Sequence, residues 1–311
     1  MSQYNRRVWR ALQGMSVGDA FGMALLRSPD TAELIARQRC PRGPWCYSSS
    51  TIQAAVLGKH LQTHHTMHPD HLAFELAEAY AVDPKRNYGS NTGALLERIH
   101  HGESWRTLSP SSFAGFGSMG TGAAIRAIPV GIHYATDRSR AVDAARLSAQ
   151  VTHSNTNSIE GTVAVALTVA FFANGNTDVH SVWDALLSNL KPSFIRKRIF
   201  HASELAPSAS PEAAAQVLGN GRWRCAHDTV PFALWCALNH GASYRAALWT
   251  TAMGAGRLNA TCALVAGILA AGGREAPASW QSQTDRLPEF LTPRRPTGTL
   301  ASPYRRTSAW P

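Results

Sequence analysis

Residues able to hold an anion recur at several points of this 311-residue chain. Ser118-Met119-Gly120-Thr121-Gly122 places two glycines just before a predicted helix. Bare backbone N–H groups there can approach a diphosphate closely, and the start of the helix adds its positive end. Arg257 lies in Gly256-Arg257-Leu258-Asn259-Ala260-Thr261-Cys262-Ala263. Its guanidinium can grip a phosphate or carboxylate through two parallel hydrogen bonds, or close an internal salt bridge. Ser48, Ser49, Ser50 and Thr51 put hydroxyls at the start of another predicted helix, where they also serve as caps. Tyr88 is able to stack on a base or simply to pack, and His153 to face a ligand or sit satisfied in the core.

Acid–base chemistry needs a carboxylate near those segments. Asp19, Asp228 and Glu160 are the candidates. Asp19 shares a helix with Gly14, Gly18 and Gly22, spaced four apart on one face, where an acid is either a buried hydrogen-bond acceptor or a base. Asp228 either caps a helix over 229–240, with Pro231 in its first turn, or acts as a base. His60, His64, His65, His68 and His71 have a spacing that suggests a metal. Pro69 breaks the helix there and no matching ligands follow, so these read as surface histidines.

The elements that must position these residues are helical. Apolar Val8, Leu12, Met15, Phe21 and Leu25 repeat at helical spacing over 4–26. Further helices are expected near 51–63, 71–82, 92–101, 122–134, 137–151, 157–174, 180–189, 202–220, 228–240, 243–254 and 259–272. Residues 83–92 and 107–122 read as loops from their turn residues. No strand ladder and no repeat stands out, so the fold class is all-α: a single compact multi-helix domain over 1–273. Residues 274–311, rich in Pro, Ser, Thr and Arg, read as an extended or disordered tail, with a wrap anchored by Trp280 and Trp310 as the alternative.

Hydrophobic residues make up 44% of the chain, enough for a large core. The net charge of +10 is almost entirely arginine, the lysines being Lys59, Lys85, Lys191 and Lys197. No basic run or aromatic-interleaved stripe accompanies it, which argues against nucleic acid and for scattered surface charge. Five cysteines without CxxC spacing read as free thiols. The absence of a signal-type segment and of an apolar run of about 18 residues argues for a cytoplasmic protein without a membrane partner.

Several motifs in one order resemble the ADP-ribosylglycohydrolase family over roughly residues 8–273. Gly14-Met15-Ser16-Val17-Gly18-Asp19-Ala20-Phe21-Gly22 is similar to its opening helix, and Arg86-Asn87-Tyr88-Gly89 to a family loop. Ser118 to Pro129 resembles a Ser-x-Gly-Asn-Gly-Ala-x-Met-Arg-x-x-Pro signature, with Thr121 in place of asparagine. Val151-Thr152-His153 and Asp228-Thr229-Val230-Pro231 resemble two further segments. The segments at 48–53 and 256–263 align with Thr-Asp-Asp-Thr and Gly-Asp-Thr-Asp-Thr, which in the family bind metal.

The resemblance implies an all-helical bundle whose paired magnesium ions hold the ribose hydroxyls of an ADP-ribosyl group. Here Ser49 and Ser50 stand for one acidic pair, and Arg257 and Asn259 for the other. No acid follows the opening motif until Asp30. Magnesium wants oxygen ligands, mostly carboxylates, so no metal of the family type and no other cofactor is expected. The ligand is expected to be a nucleotide or ribosylated small molecule. Its expected contacts are Ser49, Ser50, Thr51, Tyr88, Ser118, Met119, Gly120, Thr121, Gly122, His153, Arg257 and Asn259. The resemblance implies a hydrolase that cleaves a ribosyl or ADP-ribosyl-type glycosidic bond without magnesium, with Asp19 and Asp228 as candidate bases. The alternative is a catalytically inactive protein that binds ADP-ribose or a related nucleotide, or serves as a scaffold. The oligomeric state is not readable from sequence.

Overall fold

A computed structural model describes residues 3–288 except 177. In chain order the helices are α1 (Gln3–Arg27), α2 (Thr31–Ala36), α3 (Ser49–His64), α4 (Pro69–Val82), α5 (Ser90–His100), α6 (Trp105–Ser111), α7 (Gly122–Arg126), α8 (Ile128–His133) and α9 (Arg138–Gln150). They continue with α10 (Thr156–Ala173), α11 (Val179–Asn189), α12 (Phe194–Glu204), α13 (Pro211–Leu218), α14 (Ala226–His240), α15 (Tyr244–Met253), α16 (Leu258–Ala271) and α17 (Ala278–Gln281). Among the described residues, β pairing is confined to two isolated bridges, Trp45 with Thr284 and Gly120 with Cys225.

The centre of the bundle is the pairing of α1 with α16, and glycine spacing makes it. A Cβ at Gly18 would overlap the side chain of Ala266, and one at Gly22 the backbone carbonyl of Leu258. With no Cβ in the way the two backbones approach closely, so Asp19 on α1 is carried up against the start of α16. Beside this pair lies α10, whose residues from Gly161 to Ala173 are all buried. By length and hydropathy α10 alone among the described residues is able to cross a membrane, yet 83% of it is buried inside the body. It is the bundle's core helix, apolar all round because every face meets protein.

Several boundaries differ from the periodicity reading. The helix expected over 202–220 holds the end of α12, which starts earlier at Phe194, and the whole of α13. Ser210 caps α13 by accepting from the Ala213 N–H, and Pro211 opens it, so the chain turns between them. The stretch 122–134 splits at Ala127 into α7 and α8, with Pro129 in the first turn of α8. The presumed loop at 107–122 begins with α6, capped by Ser104.

Residues 274–288, read from composition as the start of a tail, pack on the body. Trp280 is buried and stacks on Phe21 at 4.5 Å between centroids, with Trp45 and Trp249 edge-on to it. The Trp45 N–H donates to Gln283 O at 2.7 Å and the Asp285 N–H to Trp45 O at 3.0 Å. Arg86 is tied to Asp285 at 2.6 Å. Four aromatic rings outweigh a Pro/Ser-rich composition here. This packing also fixes the strand-like segment that leads into α3. Residues 289–311, including Trp310, lie outside the described residues.

Candidate functional site

The starts of α3, α7, α14 and α16 meet on one side of the bundle, and the site is built there. Asp19 organises the first of them. It is fully buried, and its Oδ2 accepts from the Ser48 N–H at 2.9 Å, the Ser48 hydroxyl at 2.9 Å and the Thr51 hydroxyl at 2.8 Å. Ser48 in turn accepts from the Ser50 N–H as the N-cap of α3. Burial pushes the Asp19 carboxyl up from 3.8 to about 6, against the opposing pull of those hydrogen bonds. Its Oδ1 is buried with no hydrogen-bond partner among the described residues. The Ser49 N–H donates to Arg86 O at 2.6 Å, so the 86–88 loop closes over the first turn of α3.

Across from α3, the 118–122 loop is shaped by His153. A Cβ at Gly120 would stand 2.9 Å from His153 Nε2, and one at Gly122 would stand 3.4 Å from it. These glycines therefore make room for an imidazole, which corrects the reading of both as phosphate-approach positions. The Gly120 N–H is spent on Ser118 Oγ at 3.2 Å, and the helix that follows has only five residues, too short for an appreciable end charge.

His153 itself is well defined chemically. The Thr152 hydroxyl accepts from Arg126 at 2.7 Å, which leaves its own proton for His153 Nδ1 at 2.6 Å. The ring is then the neutral Nε2–H tautomer, and Nε2–H is the donor that faces the glycine loop. Burial, with the Arg126 charge behind it, lowers the imidazole to about 3, so it stays neutral at any ordinary pH. Arg126 is fully buried and bound to Gln53, Thr152 and Ser148 O, a structural anchor between α3, α7 and α9.

On the third side stand α14 and α16. The Thr121 and Thr229 hydroxyls meet at 3.0 Å. A Cβ at Gly221 would touch Thr229 Oγ at 3.3 Å and Arg257 Cβ at 2.9 Å, so the 219–224 loop sits between these two residues. Asp228 is not the cap expected from sequence: α14 begins at Ala226 behind Cys225, and Pro231 lies in its second turn. Asp228 Oδ2 accepts from the Trp223 N–H at 2.7 Å and its carbonyl from the Gly221 N–H at 2.7 Å. The residue holds the 219–224 loop in place.

Arg257 precedes α16, and its N–H donates to Asn220 O at 2.9 Å. Its half-buried guanidinium makes no hydrogen bond or ion pair among the described residues, which removes the salt-bridge reading. Burial first, then the nearby Arg224, pull it below its ordinary range, while Asp19 acts the other way. Asn259, buried in the first turn of α16, has a side chain that likewise holds no protein partner.

This donor set does not fit the paired magnesium ions that the resemblance implies. At the aligned positions stand two serine hydroxyls, a carboxamide and a cation. The Ser49 hydroxyl donates to Asn87 O at 3.4 Å. A second cation would add to the repulsion that two divalent ions already suffer. What the arrangement can do is hold an anion. The starts of α3, α14 and α16 lend their positive ends, with the Ser49, Ser50 and Ala226 N–H groups already bound within the protein, and Arg257 adds a fixed charge.

The remaining sequence candidates divide clearly. Met119 is exposed at the rim, and its carbonyl accepts from the Ala226 N–H. Tyr88 is half-buried edge-on to Tyr80 at 5.0 Å, so its ring packs within the protein. Glu160 is spent on Arg146 and the Lys191 N–H, away from the site. Thr229, Thr152 and Asn220 were missed. The Thr152 and Thr229 segments gave a signal through the resemblance, whereas Asn220 gave none.

The histidines also depart from the sequence reading. His60, His64, His68 and His71 converge at the far end of α3, and Glu75 of α4 joins them.

Comparison with known proteins shows the family of the chain. A family model described as ADP-ribosylglycohydrolase matches residues 1–301. The chain is 25% identical over 279 residues to the human protein named ADP-ribosylhydrolase ARH3, covering 78% of this chain and 76% of that one. It is 26% identical over 291 residues to an uncharacterized protein of Archaeoglobus fulgidus, covering 89% and 91%. A solved structure titled "ADP-ribosylglycohydrolase-related protein complex" superposes with a TM-score of 0.62 at 21% identity, over 90% of this chain and 92% of that chain. At that identity the likeness concerns the fold.

Proposed function

Because the chain belongs to the ADP-ribosylglycohydrolase family, we propose that it binds an ADP-ribosyl or related ribosyl-nucleotide ligand in a metal-free pocket between the starts of α3, α14 and α16. The observation that carries this reading is Arg257. It is a half-buried cation with no hydrogen-bond or ion-pair partner among the described residues, standing where the resemblance puts a metal-binding carboxylate. A charge-assisted bidentate bond to a ligand phosphate gives it a partner, and the three helix starts favour the same sign of ligand charge. Asn259 supplies a neutral polar contact suited to a ribose hydroxyl, while buried His153 keeps its Nε2–H against Gly120 and Gly122.

The family is one of glycohydrolases, and hydrolysis of a ribosyl bond is the second reading. Asp19 favours it. Its carboxyl titrates at about 6 and one oxygen is unpartnered, as a proton acceptor working near neutral pH requires. Against it, Asp19 is wholly enclosed and its other oxygen is saturated with three donors. Asp228 is committed to its loop. Binding without turnover therefore ranks first.

Calorimetric titration with ADP-ribose, in EDTA and then in excess magnesium, tests the proposal. Equal affinity in both is expected. Binding that needs magnesium, or no binding at all, overturns it. Release of ADP-ribose from a ribosylated substrate, abolished in Asp19→Asn, would establish the second reading instead.

A further inference from the structure

The far end of α3, about 20 Å from the proposed pocket at 1.5 Å per residue, carries a separate constellation. Glu75 lies between two imidazoles: His60 Nδ1 is 2.8 Å from Oε2 and His64 Nε2 is 3.3 Å from Oε1. His60 is fully buried, and its Nε2 receives the His68 backbone N–H at 3.1 Å. Nε2 is then an acceptor, so Nδ1 carries the ring proton and donates it to Glu75. That bond leaves Oε1 turned toward His64. The rings of His64, His68 and His71 stand 5.6, 5.0 and 5.5 Å apart, centroid to centroid, around the same corner.

These spacings are those of a coordination sphere. Tetrahedral ligands at about 2.0 Å from an ion are about 3.3 Å from one another, and three imidazoles on it have centroids about 5 Å apart. The observed edge and ring separations match both. His68 and His71 are exposed and free to turn a nitrogen inward, and His71 and Glu75 are four apart on one face of α4. Asp70, the other acid nearby, is held by Arg106 and the Trp105 indole and does not compete. Imidazoles with one carboxylate suit a borderline divalent ion such as zinc, and not magnesium.

We propose that the corner between α3 and α4 is a zinc-type metal site, with His64, His68, His71 and Glu75 as ligands and His60 as the residue that orients Glu75. Four protein ligands close the sphere, so the ion's work is to clamp α3 to α4, leaving no open position for chemistry. Behind it His60 plays the outer part usual for metal ligands: it fixes a carboxylate by donating a hydrogen bond. The site does not depend on the nucleotide proposal, and either can fail alone.

The test uses the full chain stripped with EDTA and dialysed. Titration with zinc ion should show one equivalent per chain, bound at least tenfold more weakly in His71→Ala and in Glu75→Gln. The control His180→Ala, on the exposed face of α11, should bind as the parent does. Cobalt(II) should give the intense visible absorption of a four-coordinate site. Because His71 is exposed, its alanine variant keeps the fold, which the thermal midpoint of the metal-free protein checks. No stoichiometric zinc, equal affinity in His71→Ala, or the weak spectrum of six-coordinate cobalt would overturn the proposal.

Discussion

The two ends of α3 make opposite electrostatic offers. At its start, Ser48 and Thr51 bind the one carboxyl at hand, Asp19, which is buried and saturated at Oδ2, and the Arg257 charge lies near it. At its finish, Glu75 lies between His60 and His64, with the rings of His68 and His71 beside them. One end is built to receive an anion and the other a cation. The resemblance puts acidic signatures at the first end, so on our proposal a few side chains invert the charge of a site on a kept helix bundle.

The two ends are joined by the seam of α1 and α16, so the largest expected effect strikes both. Gly22→Val must push α1 off the Leu258 carbonyl. It should cost about 3 kcal/mol or more in denaturant unfolding and weaken nucleotide and zinc binding together. Loss at one end alone would mean that the ends are not coupled through the seam.

Next comes Asp19. Its folded carboxyl titrates at about 6 against 3.8 free. The folded state therefore favours the protonated form. That contribution is fully present below about pH 4 and is lost as pH rises through about 6. Asparagine stays neutral, so Asp19→Asn should gain on the parent by roughly 3 kcal/mol between pH 4 and pH 7. A stability difference independent of pH would show that Asp19 is solvated and not the enclosed tie of α3.

Arg257→Ala should lower ADP-ribose affinity about tenfold to a hundredfold, the worth of a charged hydrogen bond, and leave the thermal midpoint nearly unchanged. An unchanged affinity would place the phosphate elsewhere. The smallest effect sharpens the contrast. His71→Ala, which removes zinc binding, should alter apo stability by less than about 0.5 kcal/mol and nucleotide affinity not at all.

Much of the bundle was legible. The four-residue spacing of Gly14, Gly18 and Gly22 marks a close helix contact, and the long apolar stretches that became α10 and α16 are core by composition. The short helix α2 escaped because six residues hold too few turns to show a period. Residues 274–288 misled because composition is local, whereas Trp280 draws its burial from Phe21, Trp45 and Trp249.

In the site, the resemblance drew attention to Ser49, Ser50, Arg257 and Asn259. It did not tell what holds the remainder. The Thr121–Thr229 bond and the grip of Asp19 on α3 join residues 108 and 32 positions apart. Among the histidines, His65, His68 and His71 are exposed as read from the sequence, and the burial of His60 was not foreseen. Pro69 was read as a break, but it opens α4 while His65 turns the chain in the left-handed region, bringing His68, His71 and Glu75 back beside His64.

Anomalous diffraction from crystals of the full chain, soaked in manganese and separately in zinc, tests the inversion most directly, with manganese standing in for magnesium. The expected result is a zinc peak among His64, His68, His71 and Glu75, and no manganese peak between Ser49, Ser50 and Asn259. A manganese pair at the start of α3, beside Arg257, would contradict it.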